Sequence, residues 1–275
     1  MDIRIGTSGF SFPDWVGVIY PEGLNQRDWL TYYERELGFR ALEVNYTYYK
    51  MPSAKTLGAM SAKTSADFTF AVKAHRSMTH EIWTDTKRLT MADNREAFRY
   101  FSDGIAPLIG EGKLSAVLAQ FPYFFYRTEE NSQYLALLRE LMGDVPTIVE
   151  FRNHQWHDEA ALTFLRGHGL GYCVVDEPKI EGLMPFYPAA TTDLAYVRLH
   201  GRNRNWFGAS VAERYDYLYS KEELRELLPP ILTLAGKTKK TLVFFNNCHL
   251  GSAAKNAVEL AKMIIQQEEE GRLGR

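Results

Sequence analysis

The chain has 275 residues, of which 45% are hydrophobic, and its formal net charge is −2. That length and apolar content suit one barrel domain or two smaller domains, and the near-neutral charge excludes the broad basic surface of a protein that coats duplex nucleic acid. No run of about 18 apolar residues could cross a bilayer, and Met1–Arg4 lack the apolar core of a signal peptide. The two cysteines, Cys173 and Cys248, lie in apolar runs and predict buried free thiols rather than a disulfide. We therefore expect a cytoplasmic protein without a membrane partner.

Eight short runs of apolar and β-branched residues end in polar or charged groups, and helical patterns follow most of them. The runs are Ile3–Ser8, Ala41–Asn45, Thr69–His75, Ala116–Phe121, Thr147–Arg152, Gly171–Asp176, Ala195–Gly201 and Thr241–Asn247. Strands that alternate with helices indicate a parallel sheet, so the pattern predicts an α/β protein with a TIM-type (β/α)8 barrel, whose polar strand ends meet at one mouth. No linker composition divides the chain. We predict one domain over residues 1–265, followed by a charged, frayed tail over 266–275.

Helical spacing of apolar residues is clearest in four segments of the chain. They are Asn25–Gly38, Glu129–Gly143, Asp158–Gly167 and Lys221–Leu234. Pro229-Pro230 predicts a kink or break in the last of them, because proline removes a helical hydrogen bond. Three prolines lie between Asp176 and Ala195, where we predict an irregular crossover without a helix.

Strand parity predicts which side chains point into the barrel, because alternate residues of a strand face opposite sides. Near the mouth, the inward set contains three acids and three bases: Glu43, Glu150, Asp176, Lys73, Arg152 and Arg198. The same parity turns in Asn45, His75, Gln120, His200 and Asn246. Buried ions need partners, so the six charged groups either close the barrel as a structural ion-pair plug or bind a charged ligand. Both readings remain open at this point.

Two segments after the last strands are suited to anion binding. The loop Gly201–Phe207 brings Arg202 and Trp206 beside the seventh strand, where an arginine fork suits phosphate and an aromatic face can stack on a base or sugar. Asn246-Asn247 follow the eighth strand, and Ser252 is a predicted N-cap of the final helix, whose free amides could hold an anion. In TIM barrels, phosphate sites often use the loops after strands seven and eight.

Motifs at the strand ends resemble one known family. They are Gly6-Thr-Ser-Gly-Phe10, Val44-Asn-Tyr-Thr-Tyr-Tyr49, Phe70-Ala-Val-Lys-Ala74, Val149-Glu-Phe-Arg152, Val175-Asp176, Tyr196-Val-Arg-Leu-His-Gly-Arg202 and Phe245-Asn-Asn247 with Asn256-Ala257. In this order, from Ile3 to about Leu260, they resemble the YecE-like family, the domain of unknown function 72. The resemblance implies a TIM-type barrel and no established biochemical activity.

The predicted site residues favour an enzyme that binds a phosphate-bearing sugar, a nucleotide or a nucleic-acid end, as a hydrolase, lyase or isomerase. Arg152, Arg198 and Arg202 would hold the anion. Asn45, His75, Asn246, Asn247 and Trp206 are the further predicted ligand contacts, and Glu150, Asp176, Glu43, Lys73 and His200 are the predicted catalytic residues. This hypothesis requires no metal and no cofactor.

Two alternatives belong to other functional classes. One is a non-catalytic module that binds single-stranded or damaged nucleic acid through the loop Arg202–Phe207. The other is a metal-dependent hydrolase or lyase, similar to endonuclease IV or sugar isomerase barrels, with Glu150, Asp176 and His200 as ligands of a divalent metal. The charges of Arg152 and Arg198 would oppose that cation.

Overall fold

Eight parallel strands close into a barrel in the computed structural model, which describes residues 1–88, 90–208 and 210–273. The strands are β1 (Ile3–Ser8), β2 (Ala41–Val44), β3 (Thr69–Lys73), β4 (Leu114–Gln120), β5 (Thr147–Glu150), β6 (Gly171–Asp176), β7 (Leu194–Leu199) and β8 (Lys240–Phe245). Each strand pairs with its neighbours in sequence, and β8 pairs with β1. This arrangement confirms the predicted TIM-type barrel.

The α-helices surround the barrel and follow most of the strands. They are α1 (Trp29–Arg35), α2 (Ala54–Ser61), α3 (Arg95–Gly110), α4 (Glu129–Met142), α5 (Glu159–Gly167), α6 (Val211–Arg214), α7 (Lys221–Ala235) and α8 (Ser252–Leu273). No helix lies between β6 and β7 before Leu194, as the prolines there predict. The segment predicted to fray from residue 266 is helical as far as Leu273, and residues 274 and 275 lie outside the described part of the chain.

The pairing register separates the side chains that point into the barrel from those that face the helices. Ser8 pairs with Glu43, Gln120 pairs with Glu150, and Arg198 pairs with Phe244. Residues paired across parallel strands point to the same side of the sheet, so these side chains share the barrel interior. The strands are buried on both faces, as expected for a parallel barrel covered by helices.

Helix α7 is continuous through Pro229 and Pro230, so the predicted break does not occur. Leu227, Leu228 and Ile231 are buried on either side of the prolines, whereas Pro229 itself is exposed. The backbone carbonyls that lose their partners therefore lie toward solvent, where water can satisfy them. Burial of the apolar side of the helix offsets the loss of the two hydrogen bonds.

Gly104 in α3 should not tolerate a methyl group, although alanine usually stabilises a helix by about 0.5–1 kcal/mol relative to glycine. A Cβ atom at this position would lie 2.4 Å from the backbone oxygen of Pro52, whereas a Cβ at Gly110 of the same helix meets nothing within 4 Å. We expect Gly104→Ala to lower the free energy of unfolding by about 1–3 kcal/mol, measured by urea denaturation. Gly110→Ala is the control, and an equal effect of the two substitutions would exclude the steric explanation.

Candidate functional site

A cavity of about 940 Å³ opens at the mouth where the carboxyl ends of the strands converge. Seven of the predicted site residues line it in the described part of the chain: Glu43, Asn45, Lys73, Arg152, Arg198, Trp206 and Asn246. The Oδ1 atom of Asn45 is buried without a partner among the described protein atoms, so a bound water or a small rearrangement has to satisfy it. The predicted residues Glu150, Asp176, His200, Arg202, His75 and Asn247 are not part of the lining.

Arg198 is the centre of the ionic network on the cavity floor. Its Nε and Nη2 atoms donate to the two oxygens of Glu43 at 2.9 and 2.7 Å, and its Nη1 atom donates to Glu150 at 2.6 Å. Tyr196 also donates to Glu43, at 2.6 Å. Arg198 is 1% exposed. This guanidinium is therefore held between two carboxylates, and its hydrogen-bonding groups are directed at them.

Glu150 joins Arg198 to a second buried arginine. The Nε atom of Arg152 donates to Glu150 at 2.6 Å, and the Nε2 atom of His200 lies 3.3 Å from the same carboxylate oxygen. Burial favours the neutral acid, but the charges of Arg152 and Arg198 outweigh it and hold the pKa of Glu150 well below its usual range. Burial together with the charge of Arg152 keeps the pKa of His200 well below its usual range. Near pH 7, Glu150 is therefore ionised and His200 is neutral.

The third inward acid is Glu177, not Asp176. Arg152 donates to Glu177 at 2.9 Å through Nη1, and the backbone amide of Met184 donates to its other oxygen. Burial raises the pKa of Glu177 to about 7, against the opposing effect of Arg152. Strand β6 is apolar on both faces, so its sequence does not show which residues point inward, and the predicted parity was one residue out of step.

Asp176 and Arg202 form a separate pair on the helix-facing side of the strands. The Nε atom of Arg202 lies 2.9 Å from Asp176, and Tyr219 donates to the same carboxylate at 2.7 Å. Nη1 of Arg202 also lies 3.3 Å from Glu223 in α7. The structure therefore corrects the prediction that Arg202 joins Arg152 and Arg198 at one anion site. It also places Asp176 away from the cavity.

Among Lys73, Arg152 and Arg198, the predicted inward-facing cations, Lys73 is the one without an ion pair to a carboxylate in the described part of the chain. Its Nζ atom donates to Oε1 of Gln120 at 2.9 Å and lies 4.7 Å from the ring centre of Tyr48. The amide of Gln120 is fixed, because its nitrogen donates to the carbonyl oxygen of Phe121. Burial and, after it, the charge of Arg198 lower the pKa of Lys73 to about 7, with Glu150 and Glu43 acting in the opposite direction. Near pH 7, the amine is therefore neutral in a large share of the molecules. It faces the cavity.

The histidine that lines the cavity is His80 and not the predicted His75. His75 caps a short 3-10 turn, accepting from the amide of Ser77 at 3.3 Å, and does not line the cavity. His80 does line it, with its ring 4.9 Å from that of Tyr48. Burial and the charge of Lys73 lower the pKa of His80 to about 3. The sequence places both histidines beside Lys73, but only the course of the turn decides which one faces the cavity.

Trp206 is buried at the side of the cavity and is not an exposed stacking platform. It is 4% exposed, and the guanidinium carbons of Arg152 and Arg214 lie 5.6 and 5.5 Å from its ring centre. The next residue, Phe207, is 56% exposed and contacts the ring of Tyr123. The loop therefore presents Phe207, rather than Trp206, to the solvent at the mouth.

The polar residues after β8 form hydrogen bonds to other residues of the protein. The side-chain nitrogen of Asn247 donates to Tyr217 and Asn256 at 2.8 and 2.9 Å, while Asn246 contacts Nδ1 of His200 at 3.0 Å. Ser252 has helical dihedrals and donates its amide to His249, so it is not the predicted N-cap. The amide of Leu250 donates to the carboxylate of Asp14. An acidic side chain of the protein thus takes up part of the predicted anion-binding turn.

The geometry gives no support to the metal alternative. Glu150 and His200 lie together, but Arg152 donates to both of them and Asp176 is held elsewhere by Arg202. Among the described residues, no three histidine, cysteine, aspartate or glutamate side chains are grouped to hold a metal ion.

Cys173 and Cys248 are free thiols, the first buried and the second half-buried. No described helix has the length and apolar character needed to cross a membrane.

Together, the closed barrel and the cavity at the carboxyl ends of its strands define a TIM-barrel protein with a ligand-sized mouth that is lined by charged and aromatic side chains. The chain belongs to the DUF72 family of proteins of unknown function, whose model matches residues 4–273. It is 32% identical to the UPF0759 protein YunF of Bacillus subtilis (strain 168), over 95% of this chain and 94% of that protein.

Solved structures of family members have the same fold. A DUF72 family protein from Thermotoga maritima MSB8 is 47% identical, with a TM-score of 0.89 over 96% of this chain and 99% of that one. A DUF72 family protein from Enterococcus faecalis V583 is 29% identical, with a TM-score of 0.81 over 94% of each chain. A xylose isomerase domain containing protein from Salmonella typhimurium LT2 has a TM-score of 0.51 at 13% identity, over 89% of this chain and 93% of that one. The last likeness is one of fold alone.

Proposed function

We propose that the chain is an enzyme that binds a phosphate-bearing sugar or nucleotide in the mouth cavity and uses Lys73 to transfer a proton there. One observation carries the proposal: the amine of Lys73, with a pKa lowered to about 7, faces a cavity of about 940 Å³. A general base is most effective when its pKa lies near the working pH. A cavity of that volume accommodates a small organic ligand.

The charges of the cavity wall favour an anionic ligand. The described lining contains the cationic residues Lys73, Arg152, Arg198 and Arg214 and the acidic residues Asp14 and Glu43. Glu150, behind the lining, offsets part of the charge of Arg152 and Arg198, but a surplus of positive charge remains while Lys73 is protonated. It attracts an anion, because a concave wall concentrates the field of its charges. Aromatic rings in the same lining, including Tyr46, Tyr48 and Tyr123, offer apolar faces to a sugar or a base.

The contacts divide the roles differently from the sequence-based hypothesis. Arg152 and Arg198 direct their N–H groups at Glu43, Glu150 and Glu177, so they contribute a positive field rather than direct bonds to phosphate. Glu150 is held ionised by those arginines and is a poor general acid. In our proposal, Lys73 therefore contacts the ligand directly and, with a pKa close to 7, exchanges a proton with it.

Calorimetric titration with ribose 5-phosphate and AMP, beside ribose and adenosine, tests the proposal. We expect the phosphorylated compounds to bind at least tenfold more tightly than the others, and Lys73→Met to remove most of that preference. Arg202→Met is the matched control, because Arg202 faces Asp176 and Glu223 instead of the cavity, and it should leave the affinities unchanged. Equal binding of ribose and ribose 5-phosphate, binding of none of the four, or an equal loss in both variants would contradict the proposal.

A second candidate is a non-catalytic module for single-stranded nucleic acid, favoured by the aromatic side chains exposed at the mouth. Tyr49 and Phe207 are 68% and 56% exposed, and such rings stack on unpaired bases. This candidate predicts that a fluorescent oligothymidine binds with an affinity that falls steeply with salt and falls further in Phe207→Ala. Binding that is absent, or insensitive to both salt and Phe207→Ala, excludes it.

A further inference from the structure

The amine of Lys73 is positioned as a nucleophile rather than as a structural cation. Lys113, a lysine with a buried amine, donates to the carbonyl oxygens of Ser61 and Thr64 at 2.7 and 3.0 Å and to the hydroxyl of Thr64 at 3.2 Å. Lys73 has a single hydrogen bond, to Gln120, and forms no ion pair with a carboxylate in the described part of the chain. Its remaining hydrogen-bonding directions are open toward the cavity that it lines.

Fixed positive charges near Lys73 favour the form of the amine that carries a lone pair. Arg198 and Arg152 point into the same barrel interior and are held in place by Glu43 and Glu150. An amine beside fixed cations, and out of bulk water, prefers to be neutral. Desolvation and a neighbouring cation are two ways in which enzymes activate a lysine to attack a carbonyl group.

We propose that Lys73 forms a Schiff base with the carbonyl carbon of an aldehyde or ketone ligand bound in the mouth cavity. The nitrogen lone pair forms the C–N bond while the C=O π electrons move to oxygen, giving a carbinolamine. The nitrogen then forms the second bond to carbon as the oxygen leaves. One N–H proton of the neutral amine and one proton from solvent depart with that oxygen as water, which leaves a protonated imine with one N–H, so the sequence needs no oxidant, reductant or metal.

The surroundings of the Nζ atom can also hold the protonated imine. The ring centre of Tyr48 lies 4.7 Å from Nζ, a distance at which an aromatic face stabilises a cation. Oε1 of Gln120, 2.9 Å away, can accept the remaining N–H. The inference takes its ligand from the proposed function and adds that this ligand carries a carbonyl group.

Reductive trapping tests the Schiff base on the full chain. The protein is incubated at pH 7 with glyceraldehyde 3-phosphate, and separately with glyceraldehyde, in the presence of sodium cyanoborohydride, which transfers hydride to an imine. Intact mass and peptide mapping then locate the adduct. We expect one adduct per chain, at Lys73, formed at least tenfold faster than at any other lysine. Lys55→Met, which alters an exposed lysine, should trap normally, whereas Lys73→Met should lose the rapid adduct.

The outcomes separate this inference from the proposed function. Rapid trapping of both aldehydes at Lys73, without a preference for the phosphorylated one, supports the Schiff base and contradicts the anionic ligand. Phosphate-dependent binding by calorimetry, with no rapid adduct at Lys73, supports the proposed function and overturns the Schiff base. Adducts spread evenly over the lysines, and unchanged in Lys73→Met, overturn it as well.

Discussion

Replacing Glu150 with glutamine should lower the free energy of unfolding by about 3–5 kcal/mol, the range observed when one partner of a buried ion pair is removed. Glu150 is 0% exposed and accepts from Arg152 and Arg198 at 2.6 Å each. An amide carries no charge, and only its oxygen can accept. Two buried guanidinium groups would then face each other across a neutral side chain, and Glu43 and Glu177 alone would compensate only part of the cost of their desolvation.

The matched control for this prediction is Glu177→Gln, in the same network. Glu177 is as deeply buried and also accepts from Arg152, but its pKa is raised to about 7, so the folded protein already tolerates its neutral form near pH 7. We expect Glu177→Gln to change the free energy of unfolding by about 1 kcal/mol or less at pH 7, the value of one ordinary hydrogen bond. Urea denaturation of the three proteins measures both effects. A loss in Glu150→Gln no greater than that in Glu177→Gln would show that Glu150 is not the central anion.

The raised pKa of Glu177 also gives this control a pH dependence. A carboxyl whose folded-state pKa lies above its unfolded value contributes stability below the unfolded pKa, and that contribution is lost as the pH rises through about 7. Glutamine does not titrate. The stability difference between the wild type and Glu177→Gln should therefore move in favour of the variant between pH 5 and pH 8.

The barrel could be predicted from the sequence because its signal is repeated. Each apolar run ends in a polar group, and the repetition is consistent with one architecture even where a single helix is short, as in Trp29–Arg35. Parity then located most of the cavity floor, since Glu43, Lys73 and Arg198 lie in strands whose two faces differ in residue type. On β6, both faces are apolar and the face of Asp176 could not be deduced.

The contacts made by loops and between strands distant in sequence could not be predicted in the same way. Arg202 turns toward α7 because Asp176, Tyr219 and Glu223 meet there. Asp176 ends β6, whereas Tyr219 lies just before α7 and Glu223 lies in its first turn, far away in the sequence. The alternative of an ion-pair plug is likewise resolved only by distances. Arg152 and Arg198 fit the ion-pair plug, because each of them is bound by two carboxylates. Lys73 does not fit it, because its hydrogen bond goes to Gln120.

Lys73 should therefore destabilise the fold, and Lys73→Met should raise the melting temperature. Lowering a lysine pKa from 10.5 to about 7 means that the folded protein disfavours the charged form. The sign follows from linkage: the lysine is harmless above its unfolded pKa of 10.5, and its cost grows as the pH falls toward 7 and then stays constant. The gain in melting temperature from Lys73→Met should be largest at pH 6 and should shrink steadily between pH 7 and pH 10.

Scanning calorimetry of the wild type and Lys73→Met at pH 6, 8 and 10 measures this gain. Lys113→Met is the control, because the amine of Lys113 donates to the carbonyl oxygens of Ser61 and Thr64 and its loss should lower the melting temperature instead. A destabilised Lys73→Met, or a gain independent of pH, would mean that the amine of Lys73 is a structural cation. Groups that an enzyme keeps for chemistry are often ones that its fold would be more stable without, and a pH-dependent gain would place Lys73 among them.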